Sequence, residues 1–211
     1  MTARIDRLWP SPAENLSDGD LVADLGPGVR VNFVSSIDGA ATRGGLSGGL
    51  SGGLSGAADK RVFELLRRVC DVVLVGAGTV RDEGYGSVRV SEASVRWRVA
   101  HGMPEHPVFA IVSRDPAFDP GFDADVFAEP AAALAALRGR GLTRILCEGG
   151  PSLFGSLLTL DAVDELCVTI SPTLEAGDAR RIAHGATPPR GMQLAQVLRS
   201  GDTLLLRYAR G

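Results

Sequence analysis

Two rhythms of apolar residues run along the chain, and together they lay out its elements. Val29–Ser35 (V-R-V-N-F-V-S) reads as a strand, and Val72–Val75 is an unbroken apolar run of the kind buried on both faces of a sheet. Between them, Val62, Leu65, Leu66 and Val69 keep the i, i+3, i+4, i+7 spacing of a helix over Ala58–Cys70. Val108–Val112 predicts another strand, and Val126–Ala128 a short one before a helix opening at Pro130. Residues 84–106 read as a loop followed by a helix from Ser91. Ile145, Leu146 and Cys147 form a short apolar run that breaks at Glu148-Gly149-Gly150. It restarts as a helical stripe of Leu153, Phe154, Leu157 and Leu158, with Pro151 at the first helical position, where a missing N–H costs nothing. Glu165–Ile170 alternates like a strand and stops at Pro172, and Gln193–Leu198 and Thr203–Tyr208 flank Ser200-Gly201-Asp202 as a β-hairpin.

Alternating strands and helices predict an α/β fold with a mainly parallel central sheet, helices on both faces and a C-terminal antiparallel hairpin at one edge. Residues 1–28, rich in Pro, Gly and Asp, read as an irregular lead-in, and 29–211 as a single domain. Ligands of such sheets bind beyond the carboxyl ends of the strands. Ser36, Gly76–Thr79, Ser113-Arg114 and Glu148–Ser152 should gather there. The segment after Cys147 is the most informative: a strand that ends in two glycines and opens a helix points bare N–H groups at a ligand, a phosphate-binding arrangement. Glu148 sets one carboxylate beside it.

At 211 residues and 45% hydrophobic, the chain can bury one substantial core. A net charge of −3 supplies no basic field for nucleic acid, and 5% aromatic residues supply few stacking platforms. No stretch reads as a signal peptide or a membrane span, so the cytoplasm is the expected compartment. Cys70, Cys147 and Cys167 sit in apolar contexts, as reduced core residues do. Three copies of Gly-Gly-Leu-Ser over Gly44–Ser55 predict a glycine loop whose serines either meet a ligand or form an expanded linker. Gly76-Ala77-Gly78 fails the dinucleotide fingerprint because Arg81 occupies the third glycine position. No Walker lysine follows a glycine loop, the G-x-S-x-G matches are by-products of the repeat, and His101, His106 and His184 lack metal-ligand context.

Ser36-Ile37-Asp38-Gly39, Leu74–Val80 (L-V-G-A-G-T-V) and Glu148–Leu153 (E-G-G-P-S-L), with Val163–Leu166 and Ser171-Pro172 after them, resemble the reductase domain of the bacterial riboflavin-biosynthesis deaminase-reductases. That family has a dihydrofolate-reductase-like fold. The resemblance runs from about Val29 to the C-terminus and lacks the usual deaminase domain, so a stand-alone reductase is expected. It implies NADPH-dependent reduction of a phosphorylated aminopyrimidine by a homodimer. It places Val34, Gly53, Gly76, Thr79 and Glu83 along the cofactor, and Gly149, Gly150, Pro151, Ser152, Leu153 and Phe154 around its pyrophosphate. Ser113 and Arg114 fall near the adenosine ribose, where an arginine favours a 2′-phosphate. Asn32, Ser51, Arg67, Arg89 and Glu148 fall to the substrate, with Arg67 and Arg89 on its phosphate and Glu148 on sugar hydroxyls. Glu83 is the candidate proton donor, with an ordered water as its rival. For Arg67 the alternative is a solvated basic face, for Arg114 an exposed turn, and Asp38 reads as a turn former. Departures from the family pattern cluster on the substrate side: Asn32 stands where lysine is common, Glu83 where aspartate is, and Gly84-Tyr85 replaces D-P. Two rivals remain at this level, a reductase of a pterin such as dihydrofolate and a non-catalytic NADPH-binding sensor.

Overall fold

The computed structural model describes residues 3–43, 53–185 and 189–211. Within them the strands join one nine-stranded sheet. The chain runs β1 (Asp6–Trp9), α1 (Asp18–Val22), β2 (Gly28–Ser36), α2 (Ala57–Val69), β3 (Val72–Gly76), α3 (Ala77–Asp82), α4 (Glu92–Ala100) and β4 (Val108–Val112). It continues through β5 (Asp125–Phe127), α5 (Pro130–Gly139), β6 (Arg144–Cys147), α6 (Pro151–Thr159), β7 (Glu165–Ser171), β8 (Gln193–Ser200) and β9 (Thr203–Ala209). The spatial order is β1-β8-β9-β7-β2-β6-β3-β4-β5. From β7 to β5 every pairing is parallel, and β9, β8 and β1 add on antiparallel.

Period-two alternation divides the core between the two faces of the sheet. Val72 and Leu74 of β3 pack with Leu134 and Leu137 of α5 and Leu153, Phe154 and Leu157 of α6. Val73 and Val75 turn the other way, toward Leu66 and Cys70 at the end of α2. With helices over both faces, all four valine and leucine positions of β3 are fully buried, which explains their unbroken apolar run. Helix starts follow local chemistry. The Ser91 side chain accepts from Ser94 N to cap α4, and Pro130 and Pro151 occupy the first turns of α5 and α6.

Residues 3–28, expected as part of an irregular lead-in, carry a strand and a helix. β1 pairs with β8 at the sheet edge, and α1 opens with a reciprocal cap between Ser17 and Asp20. Ile5, Leu16 and Leu21 seal a satellite core with Leu65 of α2 and Leu198 and Leu205 of the hairpin. A four-residue edge strand carries too little alternation to show, and its partner lies almost two hundred residues away. α3 also begins directly at Ala77, where a glycine turn was expected. No helix among the described residues is long and apolar enough to cross a membrane.

The three cysteines are buried, and burial pushes each thiol up to about 12, so none is a reactive thiolate at neutral pH.

Candidate active site

β6 ends at Cys147, and Glu148, Gly149 and Gly150 turn the chain into α6. The Glu148 N–H donates to Leu74 O (3.0 Å), and Gly76 N–H donates to Gly149 O (2.8 Å), binding this junction to the end of β3. Gly149 holds φ at +102°, and a Cβ there would lie 3.0 Å from the Phe33 ring. A Cβ on Gly150 would lie 2.7 Å from Thr79 Oγ1. Only glycine fits either position. Gly150 is the N-cap of α6, and no side chain caps the helix. The first-turn N–H groups of Ser152 and Leu153 have no acceptor within the helix. Phe154 was expected in the cradle, but its N–H donates to Gly150 O (3.0 Å) and its ring stacks on Phe33 at 5.6 Å in the core. The N–H groups without a helical acceptor therefore end at Leu153, whose side chain is buried.

This junction forms one wall of a cavity of about 870 Å³ at the carboxyl ends of β2 and β6. α2 forms another wall. Asp59, Phe63 and Arg67, at i, i+4 and i+8, all line it. Arg67 makes a two-pronged pair with Glu148, Nε to Oε1 at 2.6 Å and Nη2 to Oε2 at 2.6 Å, and the Tyr85 hydroxyl donates to Oε2 at 2.9 Å. The Glu148 side chain is only 1% exposed and that of Arg67 16%. Burial opposes the Arg67 charge, but the hydrogen bonds and field of Glu148 outweigh it, so the guanidinium titrates above its ordinary value. Burial and the nearby Glu148 charge hold the Tyr85 phenol well above its own. Arg98, fully buried, anchors the end of α2 by donating through Nη1 to the carbonyls of Arg67 (3.2 Å), Arg68 (3.0 Å) and Cys70 (2.7 Å).

The expected substrate contacts thus rearrange. Arg67 and Glu148 do reach the cavity, but each satisfies the other, and the pair acts first as a brace between α2 and the glycine junction. Asn32, Val34, Thr79, Glu83, Gly150 and Pro151 also line the cavity. Glu83 closes α3, its N–H donating to Thr79 O at 3.0 Å. Gly76 supports the junction from behind, and Gly53 precedes α2 outside the cavity lining. Ser113 is buried in a local turn with Asp115, and Arg114 is exposed beside it at the end of β4. Arg89 does not join the cavity. It is exposed and lines a separate recess with Asp123 and Arg140. Ser51 and most of the Gly-Gly-Leu-Ser repeat lie outside the described residues.

Other lining residues were missed from sequence: Asp59, Phe63, Tyr85 and the segment Asp178–Arg180. The helical spacing of 59, 63 and 67 was the available signal for the first two. Asp178–Arg180 arrives through Asp38, which accepts from the Ser36 hydroxyl and from the N–H groups of Glu175 and Ala176. Those donors lower its carboxyl to about 2. Ala41 N–H then donates to Arg180 O at 2.7 Å.

Comparison with known proteins agrees with this architecture. Residues 27–206 match the family model of the RibD C-terminal domain. The riboflavin biosynthesis protein RibD of Mycobacterium tuberculosis is 31% identical over 189 residues, covering 85% of this chain and 53% of that protein. The chain thus spans about half the length of the curated relatives it matches. A pyrimidine reductase-like protein from Corynebacterium diphtheriae superposes with a TM-score of 0.78 at 23% identity, over 90% of this chain and 94% of that one. Acinetobacter baumannii RibD gives 0.69 at 18% identity over 92% and 61%, and the riboflavin biosynthesis reductase of Saccharomyces cerevisiae 0.56 at 19% over 89% and 91%. The fold is dihydrofolate-reductase-like, and the chain belongs to the RibD C-terminal domain family.

Proposed function

We propose that this chain is an NADPH-dependent reductase of a phosphorylated ribosylaminopyrimidine, of the 5-amino-6-(5-phosphoribosylamino)uracil type. The observation that carries the proposal is the cavity itself: in a member of this family, one wall is the glycine-lined start of α6 and another is a polar helix face. The residues fit the cofactor. Phe33 and Thr79 pack against Gly149 and Gly150 where a Cβ would stand, and the uncapped first turn of α6 leaves its N–H groups and positive dipole end for an anion. Gly150, Ser152 and Leu153 would hold the pyrophosphate, with Thr79 beside it. NADPH, when bound, supplies the hydride. Arg114, exposed at the end of β4, is the candidate for a 2′-phosphate.

In the reaction, C1′ of the ribose gains a hydride, its bond to the ring oxygen opens, and a proton goes to the released oxygen. The chain's part is to align the ribosylamino carbon, exclude water and deliver that proton. Lys60 and Arg180 line the cavity as cations for the substrate phosphate, Arg67 being paired with Glu148, and Glu83 lies in its wall as the carboxyl nearest in role to a proton donor. A homodimer in the cytoplasm completes the proposal, and light scattering tests its oligomeric part.

Steady-state loss of NADPH absorbance is the decisive assay, run with the aminopyrimidine phosphate and with dihydrofolate, after thermal-shift titrations with NADPH and NADH. Turnover of the first substrate alone, with a larger shift from NADPH, is expected. Turnover of dihydrofolate alone overturns the substrate, saturable binding without any oxidation overturns the enzyme, and no shift with either nucleotide overturns both.

A further inference from the structure

One buried, charged side chain of the cavity has no part in the scheme above. Asp59 lies in the first turn of α2, is 6% exposed and lines the cavity. An acid in a helix's first turn is ordinarily solvated and needs no further explanation. This one is enclosed. Its carboxylate accepts from the Ser55 hydroxyl through Oδ2, and the nearby Thr169 hydroxyl on β7 favours its charged form. Among the described residues it makes no ion pair, in contrast to Glu148 at the other end of the same helix face. Burial raises its carboxyl above the ordinary value despite both hydroxyls. The Ser55 hydrogen bond takes one of about four lone-pair positions of a carboxylate, leaving room to accept from N–H or O–H donors.

The neighbouring strand supplies a complementary group. Thr169 is in register with Val34 of β2, and Asn32 lies two residues before Val34 on the same strand face, about 6.6 Å from it. Asn32 is 9% exposed and also lines the cavity. A carboxylate that only accepts, beside a carboxamide that can donate, matches a ring edge on which an N–H sits next to a carbonyl. In a uracil, the N3–H edge has this pattern, and it is the edge farthest from the ribosylamino substituent. The hydrophobic wall between, Val34 and Phe63, suits a flat ring.

We propose that Asp59, with Asn32 beside it, is the ring-recognition residue of the cavity, accepting from the N3–H of a uracil-type ring while Asn32 donates to the adjacent carbonyl. This rests on the proposed pyrimidine substrate and adds to it the group that selects the ring.

The test is calorimetric binding of 5,6-diaminouracil, which carries the ring without sugar or phosphate, to the full chain. 5,6-Diamino-1,3-dimethyluracil, which has lost the ring N–H donors, should bind the unaltered protein about tenfold or more weakly. Asp59→Asn should weaken 5,6-diaminouracil by a similar factor while leaving ribose 5-phosphate and NADPH binding unchanged. Equal affinity for the methylated and unmethylated rings overturns the proposal, as does unchanged ring binding by a folded Asp59→Asn protein or no ring binding at all. Should Asp59→Asn fail to fold, the methylation comparison on the unaltered protein still decides. The broader substrate reading fails separately, when the complete aminopyrimidine phosphate leaves NADPH unoxidised although the bare ring binds.

Discussion

The β6–α6 junction and the α2 face line the same cavity but are made of different material. The junction offers the cavity main chain, at Gly150 and Pro151 where α6 begins. The α2 face offers it side chains: Asp59, Phe63 and Arg67, the last paired with Glu148, to which Tyr85 also donates. Main chain tolerates almost any sequence but demands an absent Cβ, whereas a side-chain wall demands partners brought together from afar. The first wall should therefore be broken by adding atoms, and the second by removing them.

Removal should do the greater damage. Arg67→Ala leaves the Glu148 carboxylate buried beside Tyr85 with no cation, a change that costs about 3–5 kcal/mol of stability. Urea denaturation measures it. Replacing both partners, as Arg67→Met with Glu148→Leu, should restore a large part of that loss while abolishing substrate turnover. A cost below about 1 kcal/mol for Arg67→Ala would show that the pair behaves as a solvated surface bridge.

Addition comes next. In α6, Gly155→Ala should gain about 1 kcal/mol from helix propensity alone. Instead the new Cβ would lie 1.9 Å from the carbonyl oxygen of His184, whose N–H donates to Pro151 O at 3.0 Å. Main chain cannot swing aside as a flexible side chain can, so a net loss of about 1–3 kcal/mol is expected from the overpacking. A thermal midpoint equal to or above that of the unaltered protein would mean the 184 segment lifts off α6 freely.

Gly150→Ala probes the cradle directly. Thr79 is β-branched and stiff, so a Cβ 2.7 Å from its hydroxyl must displace one of the two. NADPH affinity should fall about tenfold, equivalent to about 1.4 kcal/mol, with a smaller change in stability. Combining it with Thr79→Ala should be less than additive, because both changes act at one contact. Full additivity would place the loss elsewhere.

The same contrast governs how much of the molecule its sequence disclosed. The order of strands and helices from β2 to β9, apart from the short α3, was legible because each element carries its own rhythm, and the strand-to-helix junction was legible because Glu148–Ser152 is contiguous. The α2 wall was not. Arg67 and Glu148 could be named as site residues, but not as a pair across 81 positions, nor Tyr85 as their third member across 63. Arg98, which looks like an exposed helical cation, is fully buried on the carbonyls at the end of α2. Asp59 looks like an ordinary first-turn acid until β7 is laid beside it. Pairings of this kind depend on topology, which local pattern does not encode.

Arg89 is where side-chain placement and sequence expectation part most plainly, and its predicted effect is the smallest. The expectation was a substrate-phosphate contact. In the structure it is exposed and lines a recess of about 360 Å³ with Asp123, Asp125 and Arg140, on the far side of Val88 from the main cavity. Two aspartates also make that recess a poor place for a phosphate, since they oppose the anion that Arg89 and Arg140 would attract. Arg89→Ala should therefore change stability by no more than about 0.5 kcal/mol and the KM for the aminopyrimidine phosphate by about twofold at most. Lys60→Ala and Arg180→Ala, made at cations that do line the cavity, should raise that KM further. A tenfold rise for Arg89→Ala, with kcat unchanged, would mean that the segment from Gly84 to Val90 turns over when substrate arrives. The side-chain wall would then extend beyond α2 and be completed only in the complex.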